Sequence, residues 1–118
     1  MQTVYSVAAG VLERRQALLQ EERSLEQILS RRYDLTVSQF AALVAVEHDS
    51  KSLGQIADEM GVVSGNVTRL ADALEEKELA TRVISRDDRR HTLLNILPAG
   101  VTLLARIRGD ALLLGGEG

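Results

Sequence analysis

The chain has 118 residues, of which 45% are apolar and 3% aromatic, with no cysteine and a formal net charge of −3. That length is one domain's worth, enough to bury roughly 65% of its unfolded surface, and the apolar share excludes a disordered chain. Without cysteine there is no disulfide and no thiolate metal site, and the scarcity of aromatics argues against modules that stack single-stranded bases.

The N-terminus lacks a basic region followed by an apolar core, and no apolar run approaches the ~20 residues of a spanning helix. A soluble cytoplasmic protein with no membrane partner is expected. From Val11 to Arg32, the apolar residues Val11, Leu18, Leu25, Ile28 and Leu29 form a broken heptad-like stripe among balanced charges. This predicts a helix suited to a partner as well as to a core.

Thr36-Val-Ser-Gln39 reads as a capping box, with Thr36 as cap and Gln39 reaching back. It opens a second helix that buries Phe40, Ala41, Leu43 and Val44 and ends near Asp49. Ser52-Leu-Gly-Gln55 is a second such box, opening a short helix with Leu53, Ile56, Ala57 and Met60 inward. Gly61 is placed to end that helix as a left-handed cap. Val62 and Val63 then make a tight connection to a third helix, capped by Ser64 and running to about Glu78, with Val67, Leu70, Ala71 and Leu74 as its buried stripe. A short helix, a Gly-containing turn and a longer helix describe a helix-turn-helix.

Two strand-like segments follow, Thr81 to Arg86 and His91 to Leu97. The four residues Asp87-Asp88-Arg89-Arg90 join them, a length that suits a type I turn. Exposed Asp–Arg pairs contribute little and do not by themselves call for a function. Placed directly after a helix-turn-helix, however, the hairpin becomes a wing, and the predicted fold is mainly α with a small β-hairpin, a winged helix-turn-helix. Residues 81–95 carry two aspartates and four arginines and are the net basic region of an acidic chain. Twelve of the fourteen basic residues are arginine, the side chain suited to forked contacts with phosphate or guanine.

Double-stranded DNA is therefore the expected partner. The candidate contacts on the recognition helix are Ser64, Gly65, Asn66, Thr68 and Arg69, small or hydrogen-bonding residues off the apolar stripe. On the wing they are Arg86, Asp88, Arg89 and Arg90. Asp72, Glu75, Glu76 and Glu78 lie further along the helix, away from the groove, where Glu75 and Glu76 read as a solvated face.

The run from Leu35 to Leu104 resembles the MarR family of bacterial winged-helix regulators. The resemblance rests on Leu35-Thr36-x-x-Gln39-Phe40, Leu53-Gly-Gln-Ile-Ala57, Val67-Thr68-Arg69-Leu70, Leu74-Glu75-Glu76-Lys77, Asp87-Asp88-Arg89-Arg90 and Leu97-Pro98-Ala99-Gly100. Glu78 stands where the family usually has glycine, and Pro98 where it has a cap threonine. The resemblance implies that one wing arginine, Arg89 or Arg90, reaches the minor groove while Asp87 or Asp88 braces it. It also implies dimerisation helices flanking the DNA-binding domain, repression of a palindromic operator as a homodimer, and a small-molecule effector bound near the first helix, the second helix and the segment after Pro98.

The expected organisation is an N-terminal dimerisation helix over 1–35, the winged helix-turn-helix over 36–97, and a short C-terminal helix with a flexible tail over 98–118. Gly109 interrupts the apolar pattern, so Val101 to Leu114 forms one short helix or the chain is a truncated member. Leu112, Leu113 and Leu114 would be exposed on a monomer, which supports association.

Catalysis, cofactors and metals are not expected. Gly61 to Gly65 lacks the lysine of a phosphate loop, and His48 and His91 have no metal-ligand spacing. Ser64 is explained as a helix cap without invoking a nucleophile. The rival to a DNA-binding regulator is a winged helix used for protein contact, its wing arginines meeting an acidic partner.

Overall fold

A computed structural model describes residues 3–114, with side chains described from 3 to 110. The expected tail at 115–118 and the side chains of the leucine patch Leu112, Leu113 and Leu114 lie outside the described residues. The chain divides into two compact units, Met1–Val37 and Ser38–Gly118.

The first unit is one helix, α1, Val4–Tyr33, of 30 residues. It starts seven residues before the expected Val11 because Thr3 caps it, its hydroxyl accepting from the Ser6 N–H at 3.2 Å. Gly10 lies inside the helix, where glycine costs roughly 1 kcal/mol relative to alanine without ending the helix. At the other end Asp34 adopts a left-handed conformation (φ 54°), and the Leu35 N–H donates back to the Leu29 carbonyl at 3.1 Å. Aspartate is one of the few residues that tolerates that conformation. The exposed apolar residues Val4, Val7, Val11, Leu18, Leu25 and Ile28 follow heptad spacing, so the stripe reaches further toward the N-terminus than the expected one.

The second unit holds α2 (Val37–Ala45) from Ser38 onward, α3 (Leu53–Met60), α4 (Ser64–Glu76), α5 (Pro98–Leu114) and three antiparallel strands, β1 (Lys51–Ser52), β2 (Ala80–Ile84) and β3 (Thr92–Ile96), in the order β1-β3-β2. Its core contains Leu43, Val46, Ile56, Val67, Ala71, Leu74, Leu79, Ala80, Leu94 and Leu104. Helix α2 stops at Ala45 and not near Asp49, because its last turn tightens into three-residue bonds from Val46 to Leu43 and from Glu47 to Val44, each 3.2 Å. Val44 is exposed, and Ala42 is buried with Leu43.

The α3 capping box forms as expected: the Gln55 N–H donates to Ser52 Oγ at 3.1 Å, and the Ser52 N–H donates to Gln55 Oε1 at 2.9 Å. Gly61 closes α3 at φ 68°, and the Val62 N–H returns to the Ala57 carbonyl at 3.0 Å. Ile56 and Ala57 are buried, and Leu53 and Met60 are half-buried.

The hairpin gains a third strand that was not expected, β1, whose Lys51 and Ser52 pair with Leu94 and Leu93. The connection between β2 and β3 is the seven residues 85–91, longer than the four expected, because Ser85 and His91 close it by a bond of 3.0 Å outside both strands. Helix α5 starts at Pro98, which suits a first turn, and continues through Gly109.

Candidate nucleic-acid interface

The first turns of α4 are exposed, and the fold makes them so. Val67, Ala71 and Leu74 are fully buried, and this fixes the opposite side of the helix toward solvent. Ser64, Gly65, Asn66, Thr68 and Arg69 are all exposed. The helix cap is Val63 and not Ser64, which is already the first helical residue. The connection after Gly61 spends Val62 and Val63 before the chain turns, so the cap position falls on a residue with no side-chain acceptor, and only the Val63 carbonyl serves, taking the Asn66 N–H at 3.0 Å. Thr68 Oγ1 donates to the Ser64 carbonyl at 3.4 Å, and Arg69 has no ion-pair partner among the described residues.

A cavity of about 250 Å³ lies beside this end of α4, lined by Ser38, Met60, Val62, Asn66, Arg69 and Leu70. Its wall includes α2 but no residue after Pro98.

The wing tip is ordered around Asp88. Its Oδ1 accepts from the Arg90 N–H and from Arg90 Nε, both at 3.0 Å, and its Oδ2 accepts from Arg90 Nη2 at 3.1 Å. His91 Nε2 is 3.3 Å from the same carboxylate, and the Asp88 N–H donates to Ser85 Oγ at 3.3 Å. Of the candidate pairs, Asp88 and Arg90 are the two that bond each other, and the Arg90 side chain remains 88% exposed. Arg86, Asp87 and Arg89 are exposed, and Arg86 and Arg89 have no ion-pair partner among the described residues.

Sequence reasoning missed a second ion-pair centre at the base of the wing. Glu75, expected on a solvated face, accepts from the Arg82 N–H at 3.0 Å, from Arg82 Nε at 3.0 Å and from Thr81 Oγ1 at 3.2 Å. Arg82 Nη2 lies 2.7 Å from Glu75 and also bonds Asp72. The strand alternation that buries Ala80 puts Arg82 on the same face, and that face meets α4. This alternation was the available signal.

Glu75 and Asp88 respond to their bonds with arginine. The Arg82 backbone N–H, then its guanidinium, hold the Glu75 carboxyl below its ordinary value of 4.5, and the Arg90 guanidinium, then its N–H, hold Asp88 below 3.8. A carboxyl with a depressed folded-state pKa contributes stability above its unfolded value and loses it as pH falls through the folded one. Thermal stability should therefore decline as pH drops below about 4.5, and the Glu75→Gln variant should show a shallower decline over the same range in a melting series.

Among the described residues no group of three or more histidines or acids could hold a metal ion, and no helix is long and apolar enough to cross a membrane.

Residues 35–92 match the model of the MarR family. The chain is 38% identical over 80 residues to the HTH-type transcriptional regulator MhqR of Bacillus subtilis, covering 67% of this chain and 55% of MhqR. It thus spans little more than half the length of that relative. The fold is that of the transcriptional regulator BldR from Sulfolobus solfataricus (TM-score 0.82, 20% identity, 100% of this chain and 88% of BldR). It is also that of a mutant MarR from Escherichia coli complexed with operator DNA (TM-score 0.78, 20% identity, 93% of this chain and 79% of that one). With the family pattern matched from Leu35 through the wing, on a winged helix-turn-helix that presents it, this chain belongs to the MarR family.

Proposed function

We propose that this protein is a cytoplasmic, sequence-specific, double-stranded DNA-binding transcriptional regulator that represses from a palindromic operator as a homodimer. One observation carries the reading: directly after a helix-turn-helix whose first α4 turns are exposed, the wing tip holds Arg90 outward on a bidentate Asp88 brace. An arginine fixed in this way reaches a groove or phosphate with less conformational entropy left to lose. In this arrangement Ser64, Gly65, Asn66, Thr68 and Arg69 enter the major groove, and Arg86, Arg89 and Arg90 reach the adjacent backbone or minor groove.

The exposed heptad stripe of α1 supports pairing with a second copy. The cavity lined by Asn66 and Arg69 gives a small-molecule effector a place from which it would disturb the reading helix directly. On α4 itself, Asp72 and Glu75 are paired with Arg82, which offsets one of their two negative charges beside the reading residues.

Selection of bound sequences from random duplex DNA is the direct test. Inverted half-sites about 34 Å apart, two chains per duplex, and affinity falling steeply with salt are expected. If no duplex is retained at low salt, the protein-contact reading replaces this one.

A further inference from the structure

The face of α4 opposite its buried stripe runs through Gly65, Arg69, Asp72 and Glu76, spaced four, three and four residues apart. Asp72, expected away from the groove, therefore stands on the same face as the proposed reading residues, about 4.5 Å further along the axis than Arg69. It is 61% exposed. A carboxylate there would meet the phosphate backbone that Gly65 and Arg69 approach, and Glu75 lies one turn beyond it on the flank. Unmasked, the two charges would oppose binding.

We infer that Arg82 is a positioning and charge-masking residue for DNA binding: from β2 it pairs with Asp72 and Glu75 of the reading helix, offsets their charge and ties the wing to that helix. The inference rests on the DNA-binding reading and extends it. Three features support it. The guanidinium spans both acids, bonding Asp72 through Nη2 and Glu75 through Nε at 3.0 Å and Nη2 at 2.7 Å. The Arg82 backbone N–H and the Thr81 hydroxyl add to the grip on Glu75, so the strand itself is anchored along with its side chain. The Arg82 side chain is only 28% exposed, so it is placed to neutralise these acids more than to contact the duplex itself.

Strand β2 leads directly into the wing loop, so the same clamp sets where Arg89 and Arg90 stand relative to Gly65 and Arg69. Neutralisation and positioning predict different behaviour when the acids are removed along with the arginine.

The test compares wild type, Arg82→Met, Arg82→Lys, and Arg82→Met combined with Asp72→Asn and Glu75→Gln. Each is titrated with a selected duplex over a salt series, and each is checked for folding by circular dichroism and melting. Arg82→Met should weaken binding by about tenfold at low salt, the effect shrinking as salt rises, as exposed charges near phosphates require. The triple variant should recover most of that loss although its melting temperature stays low. Arg82→Lys, which keeps the charge and loses the fork, should bind within a few-fold of wild type, and this arm decides the matter if Arg82→Met does not fold.

A purely architectural Arg82 would leave the triple variant as weak as Arg82→Met. That outcome, or an Arg82→Lys as weak as the Met variant, overturns the masking role. If folded Arg82→Met binds as wild type does, the inference fails entirely while the DNA-binding reading stands. If wild type itself binds no duplex, the functional reading fails first.

Discussion

Replacing Arg89 and Arg90 together by alanine is expected to lower affinity for an operator duplex by about two orders of magnitude and to flatten its salt dependence, with little change in melting temperature. The size follows from counterion release. Each lost phosphate contact removes roughly 0.9 from the slope of log affinity against log salt, and the proposed dimer would lose four such side chains at once. Stability should hold within about 0.5 kcal/mol, since Arg90 is 88% exposed and its ion pair is a surface one. The single variants should not be equal. Arg90 is held in one pose by Asp88, and Arg89 has no partner among the described residues, so Arg90→Ala should account for the larger share. Asp88→Ala should fall between wild type and Arg90→Ala, because it leaves the charge and removes the brace. Fluorescence anisotropy titrations at several salt concentrations measure wild type and the four variants. Equal affinity of wild type and the double variant would remove the wing from the interface.

The parts of the fold and of the candidate interface that were legible in sequence are those fixed by short-range chemistry. Ser52 and Gln55 lie three residues apart and satisfy each other's backbone, and Gly61 takes the left-handed conformation that ends α3. Asp88 bonds a residue two positions away. Such spacings leave a mark in the sequence because the bonded partners share one turn.

What stayed hidden depended on where the chain turns or on residues distant in sequence. The difference between Ser64 and Val63 as the cap of α4 is a single residue of turn length, and the helical stripe Val67, Ala71 and Leu74 is the same in either case. Strand β1 has two residues, too few for alternation to show, and its pairing with Leu93 and Leu94 spans some forty positions. Arg82 and Glu75 are separated by the end of a helix and the start of a strand, so no single spacing pairs them, and strand alternation shows only that Arg82 shares the face of Ala80. Glu78 is an intermediate case. Sequence comparison marked it as standing where glycine is usual, and the backbone explains why, since it holds φ at 59° in the turn that sends the chain from α4 into β2.

Gly100 makes the same point with a larger consequence, and it yields the strongest stability prediction. The motif Leu97-Pro98-Ala99-Gly100 identified it as part of a family pattern, yet the pattern alone does not say what the glycine does. In the fold, Gly100 lies buried in the first turn of α5, pressed on the chain that leaves α4. A Cβ at this position would lie 2.3 Å from the Leu79 carbonyl oxygen and 2.8 Å from Ile96 Cγ1. The first of these is backbone and cannot swing aside. That same carbonyl accepts the Leu97 N–H at 2.9 Å, so moving it breaks the bond that docks the start of α5 beside β2.

Gly100→Ala should therefore combine overpacking with a lost buried backbone bond, about 2–4 kcal/mol in total. For a domain of this size that is a fall of about 10–20 °C in melting temperature. Gly109→Ala is the matched control on the same helix, where nothing lies within 4 Å of the added methyl. There the ordinary helix preference for alanine should stabilise by about 0.5–1 kcal/mol. Opposite signs from the same substitution, nine residues apart on one helix, would locate the close approach at Leu79. A Gly100→Ala protein that melts like wild type would show that α5 does not need to lie so near it.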